Sequence, residues 1–126
     1  MTPKQFFEKL TTSKPTGKCP IRKALGILNG KWRTHVLYEL CRHPTVRFGE
    51  LKRAIPLITN TMLTSTLRDL EKLGIVNRQQ FNEIPPHVEY SLTEKGKALF
   101  PIFYEIAKWS ENYLTDNDVI EKTDQK

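Results

Sequence analysis

Residues 59–114 read TNTMLTSTLRDLEKLGIVNRQQFNEIPPHVEYSLTEKGKALFPIFYEIAKWSENYL, and this stretch begins with the pattern of an amphipathic helix. Leucines recur at steps of three and four residues from Leu63 to Leu73, which places them on one side of a helix that Gly74 can end in the left-handed conformation. The other side carries hydroxyl, amide and guanidinium groups near the helix start, and such groups suit base edges and phosphates. The DNA contacts predicted from this helix are Thr59, Asn60, Thr61, Thr64, Ser65 and Arg68.

The next pattern is that of a two-stranded hairpin. Residues 75–81 and 88–92 each alternate apolar and polar side chains, as strands with one buried face do. Residues 82–87 between them read NEIPPH, and the two prolines stiffen this loop into an extended projection. A polar-faced helix followed by a hairpin and a long helix predicts a winged helix.

Polar side chains of the hairpin have competing interpretations. Asn82 and His87 flank the loop tip and are predicted to contact the minor groove or the DNA backbone, whereas phosphate would repel the carboxylate of Glu83. Arg78 could also contact a phosphate, but we expect it to pair with Glu89 across the two strands.

Cationic side chains outside the hairpin could contact DNA, or they could be charges that serve the fold or solubility. Arg68 could form an ion pair with Asp69 or Glu71 and support the fold instead of binding DNA. Three other cations are predicted to contact phosphates, with a solvated charged surface as the alternative. They are Lys31, Lys52 and Arg53.

A long terminal helix is predicted from a cap at Thr93 to about Leu114, with a kink or a broken first turn near Pro101. Its apolar face is wider than a domain of this size needs to cover, and a second copy across a two-fold axis is the simplest cover. The sequence therefore predicts a homodimer. Its predicted interface includes Phe103, Ile106, Trp109 and Tyr113.

Three shorter helices are predicted upstream. The first begins at Cys19-Pro20, since proline suits a first helical turn, and has its apolar stripe within residues 21–28. The second spans residues 31–42, and the third spans residues 47–55, joined by a short turn to the helix at residues 59–73 as in a helix-turn-helix. The predicted fold is therefore mainly α with a small β-hairpin (α+β), a winged helix-turn-helix that dimerises through terminal helices.

Length and composition limit the number of domains, the kind of partner and the expected location of the chain. The 126 residues are enough for one domain, predicted at residues 19–115, after an N-terminal extension and linker at 1–18 and before a polar tail at 116–126. The net charge of +6 favours a polyanionic partner. With no apolar run long enough for a membrane span and no signal-peptide core, the chain is expected to be cytoplasmic, with its two cysteines as thiols.

Six short motifs between Cys19 and Thr93 occur in an order and spacing typical of one family. They are Cys19-Pro20, Leu28-Asn29-Gly30-Lys31-Trp32, Arg47-Phe48-Gly49-Glu50-Leu51, Met62-Leu63-Thr64, Leu67-Arg68-Asp69-Leu70-Glu71 and Pro85-Pro86-His87-Val88-Glu89-Tyr90-Ser91-Leu92-Thr93. In these motifs the chain resembles the HxlR-type transcriptional regulators of the MarR-like winged-helix group, with two departures: Thr59 where serine is usual and Ile75 where leucine is frequent. The resemblance implies a homodimer that places paired recognition helices in successive major grooves of a pseudo-palindromic operator on double-stranded DNA.

Cys19 has a possible sensing role. It lies at the predicted helix start beside Lys18, Arg22 and Lys23, and this setting favours the thiolate. Several family members sense quinones, hypochlorite or other electrophiles with a cysteine in this position, so the resemblance implies a repressor that senses electrophiles or oxidants through Cys19. A half-buried structural cysteine and a regulator induced by a small non-covalent ligand are the alternatives. Cys41, on the apolar side of its helix, is expected in the core.

Other functional classes find little support in the sequence. Catalysis would need a nucleophile with its base, paired acids or a metal cluster, and the three histidines, His35, His43 and His87, are scattered without ligand-spaced partners. We therefore predict no enzyme activity, no metal and no cofactor. A winged helix that binds only protein is a closer rival. The carboxylate-free first half of the helix from Thr59 argues against it.

Overall fold

The computed structural model describes residues 1–118, in which seven helices and three strands follow the predicted order of a winged helix. No helix in this part of the chain is long and apolar enough to cross a membrane. Most of the predicted polar tail lies outside the described residues. In chain order the elements are α1 (Pro3–Thr12), α2 (Arg22–Leu28), α3 (Lys31–Cys41), β1 (Val46–Arg47), α4 (Phe48–Ala54), α5 (Asn60–Lys72), β2 (Val76–Phe81), β3 (His87–Leu92), α6 (Glu94–Lys97) and α7 (Phe100–Tyr113).

The core lies between α3, α4, α5 and the sheet. Val36 and Leu37 of α3, Leu51 of α4, and Leu63 and Leu70 of α5 are all fully buried in it. Because these side chains pack α5 against two other helices, the leucine periodicity that predicted α5 marks its buried side. The opposite side of α5 is therefore held towards solvent.

The turn between α4 and α5 fixes where α5 begins. Leu57 has a φ of 71°, in the left-handed region that L side chains rarely adopt, and it is 87% exposed. Ile58 then enters the core. The hydroxyl oxygen of Thr59 caps α5 as predicted, by accepting a hydrogen bond from the Met62 amide at 3.1 Å. The predicted helix-turn-helix is thus confirmed in α4 and α5.

The end of α5 is tied to the residues that follow β3. Gly74 has a φ of 75°, so the helix ends in the predicted left-handed residue. The Thr93 hydroxyl donates to the Gly74 carbonyl at 2.6 Å, and Lys95 Nζ donates to the Leu73 carbonyl at 2.6 Å. These bonds satisfy carbonyls at the end of α5 that have no partner within the helix.

The sheet has three strands rather than the predicted two. Its order is β1-β3-β2, and both pairings are antiparallel. The sequence did not indicate β1, because a strand of two residues is too short to show alternation. The register aligns Gln79 with Glu89, and Arg78 with Tyr90. Neighbouring residues of a strand point to opposite faces of the sheet, so the predicted Arg78–Glu89 pair is wrong.

The predicted terminal helix is divided into two. Thr93 caps the short α6 by accepting from the Gly96 amide at 3.1 Å, and α7 begins at Phe100 with Pro101 in its first turn. The predicted break near Pro101 is therefore confirmed. Gly96 is buried against the Ile75 carbonyl, where an added Cβ would collide with backbone.

The first helix lies in the predicted N-terminal extension, and the second begins later than predicted. α1 spans Pro3–Thr12. α2 begins at Arg22, later than the predicted Cys19-Pro20 start. The reason is a turn in which the Arg22 amide donates to the Cys19 carbonyl at 3.2 Å, and no side chain caps the helix there.

The apolar stripe predicted within residues 21–28 is only partly buried. Ile21 and Leu25 are more than half exposed. Ile27 and Leu28 instead pack against the core. The periodicity located an apolar side of α2, but this chain alone does not cover that side.

Candidate nucleic-acid interface

One side of α5 is polar and exposed. Asn60, Thr61 and Ser65 are exposed and Thr64 is half-buried. With Arg68, these side chains line an open groove along the helix surface. Hydroxyl and amide groups held on a rigid helix can donate to and accept from base edges in a major groove. The fold therefore brings the predicted α5 residues together on one accessible surface.

Among the described residues that line this groove, Asp69 is the single acidic one, and it is paired with a cation. Arg33 Nη2 lies 3.5 Å from Asp69 Oδ2, and Arg33 also donates to the Ile27 carbonyl at 3.0 Å. Within residues 1–118, Arg68 forms no ion pair with Asp69 or Glu71. The structure therefore does not show the ion pair that the alternative interpretation of Arg68 required.

The remaining predicted contacts in or beside α3, α4 and α5 lie at the protein surface. Thr59 is exposed, although its oxygen also serves as the α5 cap. Lys31 is exposed above the Trp32 ring, with Nζ 4.7 Å from the ring centroid. Arg53 is exposed and Lys52 is half-buried. None of these three cations forms an ion pair with another described residue, so each can reach an anionic partner.

The wing consists of β2, β3 and the loop at residues 82–86. Its two predicted DNA contacts differ in exposure. Asn82 is exposed at the start of the loop. His87 stacks on Phe81 with ring centroids 4.6 Å apart, and its Nε2 lies 3.1 Å from Glu89 Oε2. Its Nδ1 lies 3.8 Å from Glu83 Oε2, and only 16% of the side chain is exposed. His87 is therefore held within the wing, whereas Asn82 remains open to a partner.

The two cysteines have different surroundings. Cys19 is exposed, and it precedes α2 rather than lying at its start, so the predicted effect of a helix N-terminus on this thiol has no structural basis. Cys41 is half-buried, and burial raises the pKa of its thiol. Cys19 is the more accessible of the two to a reagent.

α7 presents a continuous apolar stripe to solvent. Ile102, Ile106, Trp109 and Tyr113 are 47%, 51%, 56% and 70% exposed, and their spacing of four, three and four residues puts them on one side of the helix. Phe103, predicted at the interface, is half-buried and packs against the protein's own core. Ile102 belongs to the same apolar stripe, four residues before Ile106.

The described residues contain no group of three or more His, Cys, Asp or Glu side chains that could hold a metal ion. Their charged clusters are pairs and small networks within the fold. For example, buried Glu39 accepts from Arg42 at 3.1 Å and lies 3.7 Å from His35 Nε2.

Comparison with known proteins identifies the architecture. A family model described as HxlR-like helix-turn-helix matches residues 27–118. An HTH-type transcriptional regulator of Bacillus subtilis, YdzF, is 41% identical over 92 residues, which are 73% of this chain and 84% of the relative. Transcriptional regulators are not enzymes, so the prediction that this chain is not one is confirmed.

Solved structures with the same fold include two regulators. The oxidised form of the redox regulator HypR is 41% identical and superposes with a TM-score of 0.69, covering 77% of this chain and 99% of that one. The reduced form of the transcriptional regulator YodB from Bacillus subtilis is 35% identical with a TM-score of 0.71, covering 80% of this chain and 99% of that one. The shared architecture is a winged helix, as predicted.

Proposed function

Since this chain belongs to the HxlR-like helix-turn-helix family of transcriptional regulators, we propose that it binds a specific site on double-stranded DNA as a homodimer and represses transcription. The observation that carries the proposal is the surface of α5. Its first two turns expose amide and hydroxyl groups without a free carboxylate, while its leucines fix the helix against the core. Such a surface suits base readout in a major groove.

Each protomer would read one half of a pseudo-palindromic operator. Asn60, Thr61, Thr64 and Ser65 would face base edges from α5, with Arg68 in the same groove and Thr59 exposed at the start of the helix. Lys31, Lys52 and Arg53 neutralise backbone phosphates, which sets affinity and register but not sequence preference. Asn82 of the wing contacts the adjacent minor groove or backbone. His87 would contribute by holding the wing in shape through Phe81 and Glu89.

The homodimer would form across the exposed stripe of α7. Exposing four large apolar side chains on one side of a helix to water is unfavourable. In a dimer with a two-fold axis, the stripe of one copy can cover the stripe of the other. Ile21 and Leu25 add exposed apolar surface on α2. The dimer is what would hold two α5 helices at the separation of successive major grooves.

DNA binding is tested by selection from a random duplex library with wild-type protein, followed by affinity measurements over a range of salt concentrations. We expect enrichment of a two-fold symmetric sequence, hereafter the selected duplex, and affinity that falls steeply as salt rises. A winged helix that binds only protein would enrich no sequence. It would also bind DNA weakly and equally on all duplexes.

A second proposal is that Cys19 couples electrophiles to DNA release. It is supported by the exposure of Cys19 and by the redox regulator HypR among the structural relatives. With a quinone, the Cys19 sulfur adds to a ring carbon and forms a carbon–sulfur bond. The thiol proton and the ring hydrogen move to the two quinone oxygens, so the product is a hydroquinone thioether and no further oxidant is consumed.

The test compares release from the selected duplex on addition of benzoquinone. We expect the wild type and Cys41→Ser to be released, and Cys19→Ser to stay bound, because the Cys41 thiol is half-buried with a raised pKa. Equal release of Cys19→Ser would contradict sensing at this residue and would favour a small non-covalent inducer.

A further inference from the structure

A cleft lies between α5 and the wing, and cationic side chains enter it from both. Its apolar floor is formed by Phe48, Leu67 and Val88, and it includes Arg68 from α5 and Arg78 from β2. Arg stems pack well along apolar surface while their guanidinium groups stay accessible to water and ligands. The cleft therefore combines a fixed floor with two cationic groups contributed by two different elements.

The guanidinium groups of this cleft differ from others in the fold. Arg33 and Arg42 each have a carboxylate partner within 4 Å. By contrast, Arg68 and Arg78 form no ion pair and no side-chain hydrogen bond with any residue in the described range 1–118. The register of the sheet separates Arg78 from Glu89, the partner expected from sequence. Two unpaired guanidinium groups therefore share one cleft.

The charge of the cleft suits a single anionic group. Among the described residues that line the cleft, Glu71 is the one acidic side chain, so the two arginines leave this lining positive. A guanidinium presents a planar fork of donors that matches phosphate oxygens. Two such forks entering from opposite walls can hold one phosphate from two sides.

The position of the cleft favours DNA as the source of that phosphate. Thr64 and Arg68 line both the cleft and the groove along α5 that carries Asn60 and Thr61, so the two surfaces are continuous. A duplex whose bases meet α5 would carry its backbone across the mouth of the cleft. Resting on the proposed DNA binding, we propose that Arg68 and Arg78 clamp one backbone phosphate per half-site where α5 meets the wing.

The test replaces single phosphates of the selected duplex by uncharged methylphosphonates, one position at a time. We expect one position per half-site at which the replacement weakens wild-type binding by about tenfold, the effect of losing a charge-assisted contact. Arg68→Met and Arg78→Met keep an unbranched apolar stem over the cleft floor but remove the charge. Each should weaken binding to unmodified DNA by about tenfold and respond less than the wild type to the replacement at that same position, because one of the two arginines still contacts the phosphate; the variant with both substitutions should be insensitive to it.

Controls separate this proposal from DNA binding itself. Lys97→Ala removes a cation from α6 and should keep the full wild-type response to methylphosphonate. Wild-type affinity for Arg78→Met, or unchanged sensitivity of both arginine variants at every position, would overturn the clamp. Because Thr61→Ala would still lose sequence preference in that case, failure of the clamp is distinguishable from failure of base reading by α5. If wild-type protein selects no sequence, DNA binding fails and the clamp fails with it.

Discussion

α5 and α7 are both amphipathic helices, but they use their two sides in opposite ways. α5 buries its leucines in the core and exposes a polar side, whereas α7 exposes an apolar stripe and has no fully buried residue. The domain is thus complete around α5 and incomplete around α7. In this account the residues that meet DNA are positioned by the protein's own core, and the distance between two such sets depends on a second copy.

The largest effect is expected from a charge placed in the α7 stripe. Ile106→Glu would bury two carboxylates in a two-fold interface, each at about 3–5 kcal/mol, so the dimer should dissociate into monomers or aggregate. Sedimentation velocity measures this directly. Lys108→Ala is the matched control, since Lys108 lies on the polar side of α7 paired with Glu105 at 2.7 Å, and it should leave the dimer intact. An unchanged dimer for Ile106→Glu would place the interface elsewhere.

The next largest effect is expected on stability, from a truncation on the buried side of α5. Leu63 is fully buried, so Leu63→Ala should lower the free energy of unfolding by about 3–5 kcal/mol through lost burial and a cavity. Met62, the adjacent residue, is 37% exposed, and Met62→Ala should lower it by less than about 1 kcal/mol. Urea titrations at one protein concentration compare the two. Equal losses would mean that α5 is not anchored as described.

Substitutions on the exposed side of α5 are expected to have a smaller effect, which falls on DNA affinity and depends on the DNA sequence. Thr61→Ala and Thr64→Ala should each weaken binding to the selected duplex by about 1–3 kcal/mol, and weaken binding to random DNA less, because base contacts are lost. Lys52→Ala should weaken both alike and flatten the salt dependence by about one unit of slope. Fluorescence anisotropy at several salt concentrations separates the two patterns. Threonine variants that lose affinity equally on every duplex would show that α5 does not read bases.

The smallest effect concerns the turn that sets the start of α5. Leu57 is in the left-handed region with an exposed side chain, so Leu57→Gly removes steric strain and gives up little burial. The gain is partly offset by greater freedom of the unfolded chain, and we expect about 0.5 kcal/mol of added stability. Leu57→Ala keeps a Cβ at the same φ and should give no gain. Thermal unfolding in which the glycine variant is less stable would contradict this reading of the turn.

The elements that sequence predicted well are those whose signals are local. The leucine spacing, Thr59 and Gly74 defined α5 because a helix with one buried side leaves all three marks. The break at Pro101 was likewise expected from the residue itself. β1 has two residues and exists only through its pairing with β3, so nothing in its own sequence could indicate it.

The features that the sequence left open or predicted wrongly depend on relations between elements. Periodicity placed Ile21 and Leu25 on one side of α2, but it could not tell whether this chain or a partner covers them. Opposite charges suggested an ion pair between Arg78 and Glu89. The register of the two strands decides which side chains share a face of the sheet, and it places these two on opposite faces. The predicted DNA contact of His87 stays a prediction, and its stacking on Phe81 is a contact across the hairpin that composition does not reveal. The DNA, dimer and Cys19 assignments stay predictions.

The measurement that tests the central claim most directly is the affinity of the wild-type protein for the selected duplex and for the same duplex with about 5 bp, half a helical turn, inserted at its two-fold centre. If the α7 stripe fixes two α5 helices in successive major grooves, the insertion turns one half-site to the far side of the DNA. Affinity should then fall to that of a single half-site. Unchanged affinity for the lengthened duplex would contradict the account.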